Sequence, residues 1–72
     1  MEELKAKLEQ AFPAVDFNRT DLIDGSVLDS ITLVSVIALL EEEYDIEVSM
    51  DYIVPENFQS VEAIWNMVEE LG

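Results

Sequence analysis

Hydrophobic residues recur at helical spacing in three stretches of the chain. The first stretch places Leu4, Leu8, Ala11 and Phe12 on one side of a helix, with charged residues between them. Proline disfavours helical geometry at the residue before it, so Pro13 predicts that this helix ends at Phe12.

The last stretch predicts a helix near the end of the chain. We expect it to begin after Ser60, whose hydroxyl can accept a hydrogen bond from a free amide of the first turn. Glu62 lies in that turn, where the helix dipole favours a negative charge. The apolar face repeats at spacings of three and four residues and consists of Val61, Ile64, Trp65, Val68 and Leu71.

A long loop is predicted between Pro13 and Asp29, because no helical or strand period persists there and turn-forming residues are frequent. Loops of this length in small domains are usually functional or disordered. This loop has apolar residues that can anchor it in the core, and we therefore expect it to be ordered. The anchors are Val15, Phe17, Leu22, Ile23, Val27 and Leu28.

The middle helix is predicted to begin at Ser30, whose hydroxyl would cap it, and to continue to about Tyr44. Between Val48 and Ser60, Pro55 allows only one short helical turn, expected over 55–58. Residues 1–72 are thus predicted to form a single all-α domain, a small bundle of three main helices plus one short helix.

The middle helix carries two apolar faces. At about 100° per residue, the face that we assign to the core contains Leu33, Val36, Ile37, Leu40 and Tyr44. The second face, here called the apolar strip, contains Ile31, Val34 and Ala38, and Glu41 and Asp45 continue it on the same side. The strip is either a surface for docking a partner or the second buried face of a central helix.

The charge of the chain limits its partners. Seventeen acidic residues stand against three basic ones, which gives a net charge of −14. Nucleic acids and anionic membranes would be repelled, so we expect neither, whereas basic patches on other proteins would be attracted. Because no apolar run has the length of a transmembrane helix and residues 1–12 lack a signal-peptide profile, we expect a cytoplasmic protein without membrane insertion. We also expect the chain to be a monomer.

The residue types also exclude several kinds of chemistry. The chain has no Cys and no His, which excludes disulfides, Cys/His zinc sites and a Ser-His-Asp triad. An EF-hand aligned on Gly25 fails, because Thr20, Leu22 and Ile31 would occupy positions that require carboxylates. We therefore expect no metal site and no enzymatic activity.

The residues around Ser30 form a motif. Asp29-Ser30-Ile31 opens the predicted middle helix, which ends in the string Glu-Glu-Glu-Tyr-Asp-Ile-Glu-Val over 41–48. With the chain length and the order of helices, this resembles the acyl carrier protein family, in which Asp-Ser-Leu precedes a helix that ends in an acidic run. The stretch Val-Leu-Asp-Ser over 27–30 also resembles the Leu-Leu-Asp-Ser of D-alanyl carrier proteins.

The resemblance implies a function for Ser30. A phosphopantetheinyl transferase would attach 4′-phosphopantetheine from coenzyme A to Ser30, with Asp29 helping recognition, and the thiol of that arm would hold acyl or aminoacyl groups as thioesters. Further partners would be a loading synthetase for acyl or aminoacyl groups and synthases or transferases with basic docking patches, in fatty acid, polyketide or related biosynthesis. The residues that would face these partners are Ile31, Val34, Ala38, Glu41, Glu42 and Asp45.

The sequence departs from the fatty-acid type in two places. Thr32 and Ser35 stand where that type often has acids, and the stretch over 48–60 is longer. Both departures favour a specialised carrier, for D-alanine, another amino acid or a secondary-metabolite acyl chain. The alternative is an unmodified acidic docking module, which needs the charge and the apolar strip but not Ser30.

Overall fold

Three α-helices and two single 3-10 turns make up the fold in a computed structural model, which describes residues 1–72. Helix α1 covers Glu2–Ala11, α2 covers Ser30–Tyr44 and α3 covers Val61–Leu71. The 3-10 turns, Met50–Tyr52 and Pro55–Asn57, lie between α2 and α3. The prediction of an all-α fold is confirmed. None of the helices combines the length and the hydrophobicity that a membrane span requires.

Thirteen buried hydrophobic side chains, from the three α-helices and from the segments between them, form one core. The loop between α1 and α2 contributes three of its predicted anchors to this core, and the other three are half-buried. The loop is therefore ordered, as predicted. The core consists of Leu4, Leu8, Phe17, Leu22, Leu28, Val36, Leu40, Val48, Phe58, Val61, Ile64, Met67 and Val68.

Helix α1 ends where Pro13 predicts, with Ala11 as its last helical residue. The Phe12 amide still donates to the Leu8 carbonyl at 2.8 Å, but Phe12 has left helical geometry, as expected before a proline. Its ring packs edge-on against Phe17, with 6.5 Å between ring centroids. Ala11, predicted on the apolar face, is exposed. The buried face of α1 thus consists of Leu4 and Leu8.

Helix α3 begins as its sequence predicts. The Ser60 hydroxyl oxygen accepts a hydrogen bond from the Ala63 amide at 3.1 Å and so caps the helix. Trp65 is only half-buried and packs edge-on against Tyr44 of α2, with 5.8 Å between ring centroids. Met67, which was not predicted on the apolar face, is buried.

The segment between α2 and α3 holds no α-helix. Pro55 starts the second 3-10 turn, in agreement with its prediction, whereas the turn over Met50–Tyr52 was not predicted. The Asn57 side-chain amide donates to the Tyr52 carbonyl at 2.8 Å and joins the two turns. Phe58, fully buried, then anchors the segment in the core directly before α3.

Candidate functional site

Asp29 and Ser30 lie at the start of α2, and the residue that caps the helix is not the one predicted. Asp29 has extended backbone geometry, and its carboxylate oxygen Oδ1 accepts from the Thr32 amide at 2.7 Å. Asp29 is therefore the cap, and the prediction that Ser30 caps α2 is wrong. Ser30 is the first helical residue and is exposed. Because the cap uses the Asp29 carboxylate, the Ser30 hydroxyl is left accessible.

The Asp29 carboxyl is held in its ionised form. The hydrogen bond from the Thr32 backbone amide is the largest of the interactions that lower the pKa of Asp29 below the ordinary value of 3.8. A carboxylate at this position also interacts favourably with the positive end of the helix dipole. The site at neutral pH thus consists of a fixed negative charge directly beside a free hydroxyl.

The apolar strip of α2 is exposed. Ile31 keeps 80% of its surface exposed and Val34 keeps 65%, and Ala38 is also exposed. On the opposite side of the helix, Val36 and Leu40 are fully buried. The interpretation of the strip as the second buried face of a central helix is therefore wrong.

The acidic residues expected beside the strip differ in their surroundings. The Glu41 carboxylate accepts from the Val48 amide at 3.0 Å and is half-buried, so it holds the chain where it leaves α2. Glu42 and Asp45 are exposed. Asp45 ends the helix in the left-handed region, at φ 52°, which Asp tolerates better than most residues. Free carboxylates at this end of α2 are thus provided by Glu42 and Asp45.

The three cations of the chain already have partners within it. Lys7 pairs with Glu43 of α2 at 3.2 Å and with Glu3 at 3.7 Å, and the bond to Glu43 raises the pKa of Lys7. Arg19 pairs with Asp21 at 2.7 Å, and Lys5 donates to Asn18. Glu43 is therefore paired within the chain, whereas Asp29, Glu42 and Asp45, near the start and end of the strip, form no ion pair with the chain's own cations.

A residue that the sequence did not single out fastens the loop before the site. The side-chain oxygen Oε1 of Gln59 accepts from the amides of Ile23 and Asp24, at 3.1 and 3.2 Å. The Gln59 carbonyl also accepts from the Leu22 amide at 2.9 Å. No periodic signal could have revealed this contact, because its partners lie 35 to 37 positions away and are all backbone amides.

A metal cluster and a pocket are two further features by which a protein can bind a ligand. No group of three or more Asp or Glu side chains is arranged to hold a metal ion, and no pocket is present. The candidate site therefore consists of the exposed serine at the start of α2 and the exposed strip beside it.

Comparison with protein families agrees with this geometry. Residues 13–68 match the family model described as the phosphopantetheine attachment site. The match covers well over half of the chain and includes the whole loop, α2 and most of α3, so the chain belongs to this family. No curated protein and no solved structure matches the chain.

Membership of the family establishes the class of function. Its domains are non-catalytic carriers that bear a covalently attached 4′-phosphopantetheine group. The predictions of the prosthetic group, of a carrier and of a protein that is not an enzyme are confirmed. The match does not confirm the D-alanyl branch.

The residues at the start of α2 fit such a group. Ser30 supplies an exposed hydroxyl for a phosphodiester, and the first amides of a helix have no carbonyl partner within it, which favours an anion there. Asp29 already occupies the Thr32 amide, so part of this donor set is used by the protein itself. When bound, the group supplies a thiol, which this cysteine-free chain lacks.

Proposed function

We propose that the protein carries acyl or aminoacyl groups as thioesters on a phosphopantetheine arm attached to Ser30. The observation that carries this proposal is the exposed hydroxyl of Ser30, at the first position of α2 and directly after the capping Asp29.

The other serines are less suited to attachment. Ser35 donates its hydroxyl to the Ile31 carbonyl at 3.1 Å, within α2. Ser60 uses its hydroxyl to cap α3. Ser26 lies in a left-handed turn at φ 58°, and Ser49 precedes a three-residue 3-10 turn. Ser30 alone combines exposure, a long helix behind it and an acidic residue before it.

The attachment reaction requires only a hydroxyl from this chain. The Ser30 oxygen Oγ attacks the phosphorus of coenzyme A that bears the pantetheine, forming a phosphodiester. The bond from that phosphorus to the bridging pyrophosphate oxygen breaks, and adenosine 3′,5′-bisphosphate leaves. The hydroxyl proton passes to a base of the transferase or to water. No oxidant or reductant is involved, and the separate transferase supplies the catalysis.

Partner enzymes are proposed to dock on the apolar strip and on the acids around it. Ile31 and Val34 offer exposed apolar surface beside Ser30, and Glu42 and Asp45 offer carboxylates at the other end of α2. A partner with an apolar contact and a basic rim would match both features, and the charge of −14 would speed its approach. Glu41 can contribute only in part, because its carboxylate also holds the Val48 amide.

The cargo is proposed to be an acyl or aminoacyl group of a specialised pathway, with D-alanine among the candidates. Support comes from Thr32 and Ser35, which leave the first turns of α2 without acidic side chains of their own. Loading would then need a synthetase for an acyl or aminoacyl group. We further propose that residues 1–72 act as one carrier domain and as a monomer, because repulsion between copies of such high charge opposes self-association.

Labelling in vitro tests the attachment site. The purified chain is incubated with coenzyme A and a phosphopantetheinyl transferase of broad specificity, and its mass is followed. The wild type and Ser35→Ala should gain one phosphopantetheine, whereas Ser30→Ala should gain none. Labelling of Ser30→Ala at the wild-type rate would refute Ser30 as the site.

A further inference from the structure

We propose that Gln59 is a positioning residue for the attachment site, and this inference rests on the proposed modification of Ser30. Gln59 lies directly before the Ser60 cap of α3, far from Ser30 in sequence. Its role would be to fix the loop that leads into α2, so that Asp29 and Ser30 are presented to the transferase in one arrangement.

The contacts of Gln59 form a clamp on the loop. Three consecutive loop amides, those of Leu22, Ile23 and Asp24, donate to one residue, the first to its backbone carbonyl and the others to its side chain. An irregular loop has few regular partners for its amides, so a single side chain that satisfies two of them has a large share in fixing its path. Gln59 is itself fixed, since Phe58 beside it is fully buried.

The clamp is connected to Ser30 by a short path. The Leu22 side chain is fully buried, and its carbonyl accepts from the amides of Val27 and Leu28, at 3.0 and 2.9 Å. Leu28 is buried as well and directly precedes Asp29. Two hydrogen bonds and one peptide bond therefore lead from the backbone carbonyl of Gln59 to the residue that caps α2, and the Gln59 side chain holds the two residues that follow Leu22.

The helix side of this path is also fixed. Asp29 accepts from the Thr32 amide with its side chain and from the Leu33 amide with its carbonyl, at 2.7 and 2.8 Å. The start of α2 is thus held from both directions, by its own first turn and by the loop. Loss of the Gln59 clamp would release only the loop side.

Three variants separate positioning from stability. Gln59→Leu removes the side-chain acceptor, and Gln59→Glu keeps an acceptor of the same reach. Ser60→Ala, at the next position, removes the cap of α3 but leaves the contacts of Gln59 with the loop. Circular dichroism is used to choose a temperature at which all variants are folded. At that temperature, kcat/KM of the phosphopantetheinyl transferase is measured for each variant as the acceptor, with coenzyme A as the donor. Amide exchange by NMR reports on Ile23 and Asp24.

In Gln59→Leu we expect the amides of Ile23 and Asp24 to exchange about tenfold faster, and kcat/KM of the transferase to fall about tenfold, as the loss of two modest hydrogen bonds predicts. Gln59→Glu should restore both to within about twofold, since a carboxylate oxygen also accepts. Ser60→Ala should melt at a lower temperature with transferase kinetics near those of the wild type. If Gln59→Leu does not fold, Gln59→Asn, whose side chain is one methylene shorter, takes its place with the same expectation.

Two results would overturn the positioning role. One is Gln59→Leu labelled at the wild-type rate, and the other is an equal loss of rate in Ser60→Ala, which would tie the effect to stability alone. These results differ from failure of the proposed function, in which the wild-type chain itself is not labelled and the positioning role is lost with it.

Discussion

Val34 and Val36 form a matched pair that tests the two faces of α2. The side chains are identical and stand two positions apart, but Val34 keeps 65% of its surface exposed whereas Val36 is fully buried. Truncation of Val36 to Ala removes buried methyl groups and leaves a cavity, which should lower the free energy of unfolding by about 2 kcal/mol. In a domain of this size, that loss lowers Tm by about 10 °C.

Truncation of Val34 should leave stability almost unchanged. Only a minor part of this side chain is shielded, and the small loss of burial is offset by the higher helix propensity of Ala, so the change should stay within about 0.5 kcal/mol. If partners dock on the apolar strip, the same substitution should lower kcat/KM of the phosphopantetheinyl transferase about fivefold, the size of a moderate interface contact.

Urea unfolding followed by circular dichroism gives the stability of both variants, and labelling with coenzyme A gives their transferase kinetics below the melting transition. We expect Val36→Ala to lose stability and keep its kinetics, and Val34→Ala to do the reverse. A loss of stability in Val34→Ala as large as that in Val36→Ala would refute the exposed strip. Unchanged kinetics in Val34→Ala would refute its role in docking.

Three further predictions concern stability. The Tyr44 hydroxyl oxygen is shielded and has no hydrogen-bond partner, so Tyr44→Phe should raise the free energy of unfolding by up to about 1 kcal/mol in urea titrations. A clear fall in the free energy of unfolding would show that the hydroxyl does have a hydrogen-bond partner. The lowered pKa of Asp29 stabilises the fold above the ordinary pKa of a carboxyl, and this contribution is lost as pH falls through the folded value, below 3.8. When the pH falls below about 4, Asp29→Asn should therefore lose less stability than the wild type. An equal loss of stability in the two proteins would contradict the role of the Asp29 carboxylate as the cap of α2. Salt should raise Tm, because it screens the repulsion of a net charge of −14, and a Tm that falls with added NaCl would contradict this.

Much of the fold follows from local sequence signals. The bounds of α2 and the cap of α3 were predicted because apolar periodicity and a capping residue coincide there. The cap of α2 was misassigned because Asp29 and Ser30 are both good caps and stand side by side. Which of them caps depends on the first residue with helical geometry, and that residue is Ser30, so the cap falls to Asp29.

Contacts between distant segments could not be predicted in the same way. Whether the apolar strip is buried depends on where neighbouring elements pack, and the sequence left that question open. The bond from the Val48 amide to Glu41 and the clamp at Gln59 join polar side chains to backbone amides, which leave no pattern in the sequence. The turn over Met50–Tyr52 is too short to show a period.

The mass of the protein purified from its own cells, with fragmentation to locate any adduct, tests the carrier function most directly. We predict one phosphopantetheine on Ser30. In part of the molecules, a group bound to the phosphopantetheine thiol should add further mass. A protein found only in unmodified form, or with the adduct on another residue, would contradict the proposal that Ser30 carries the arm.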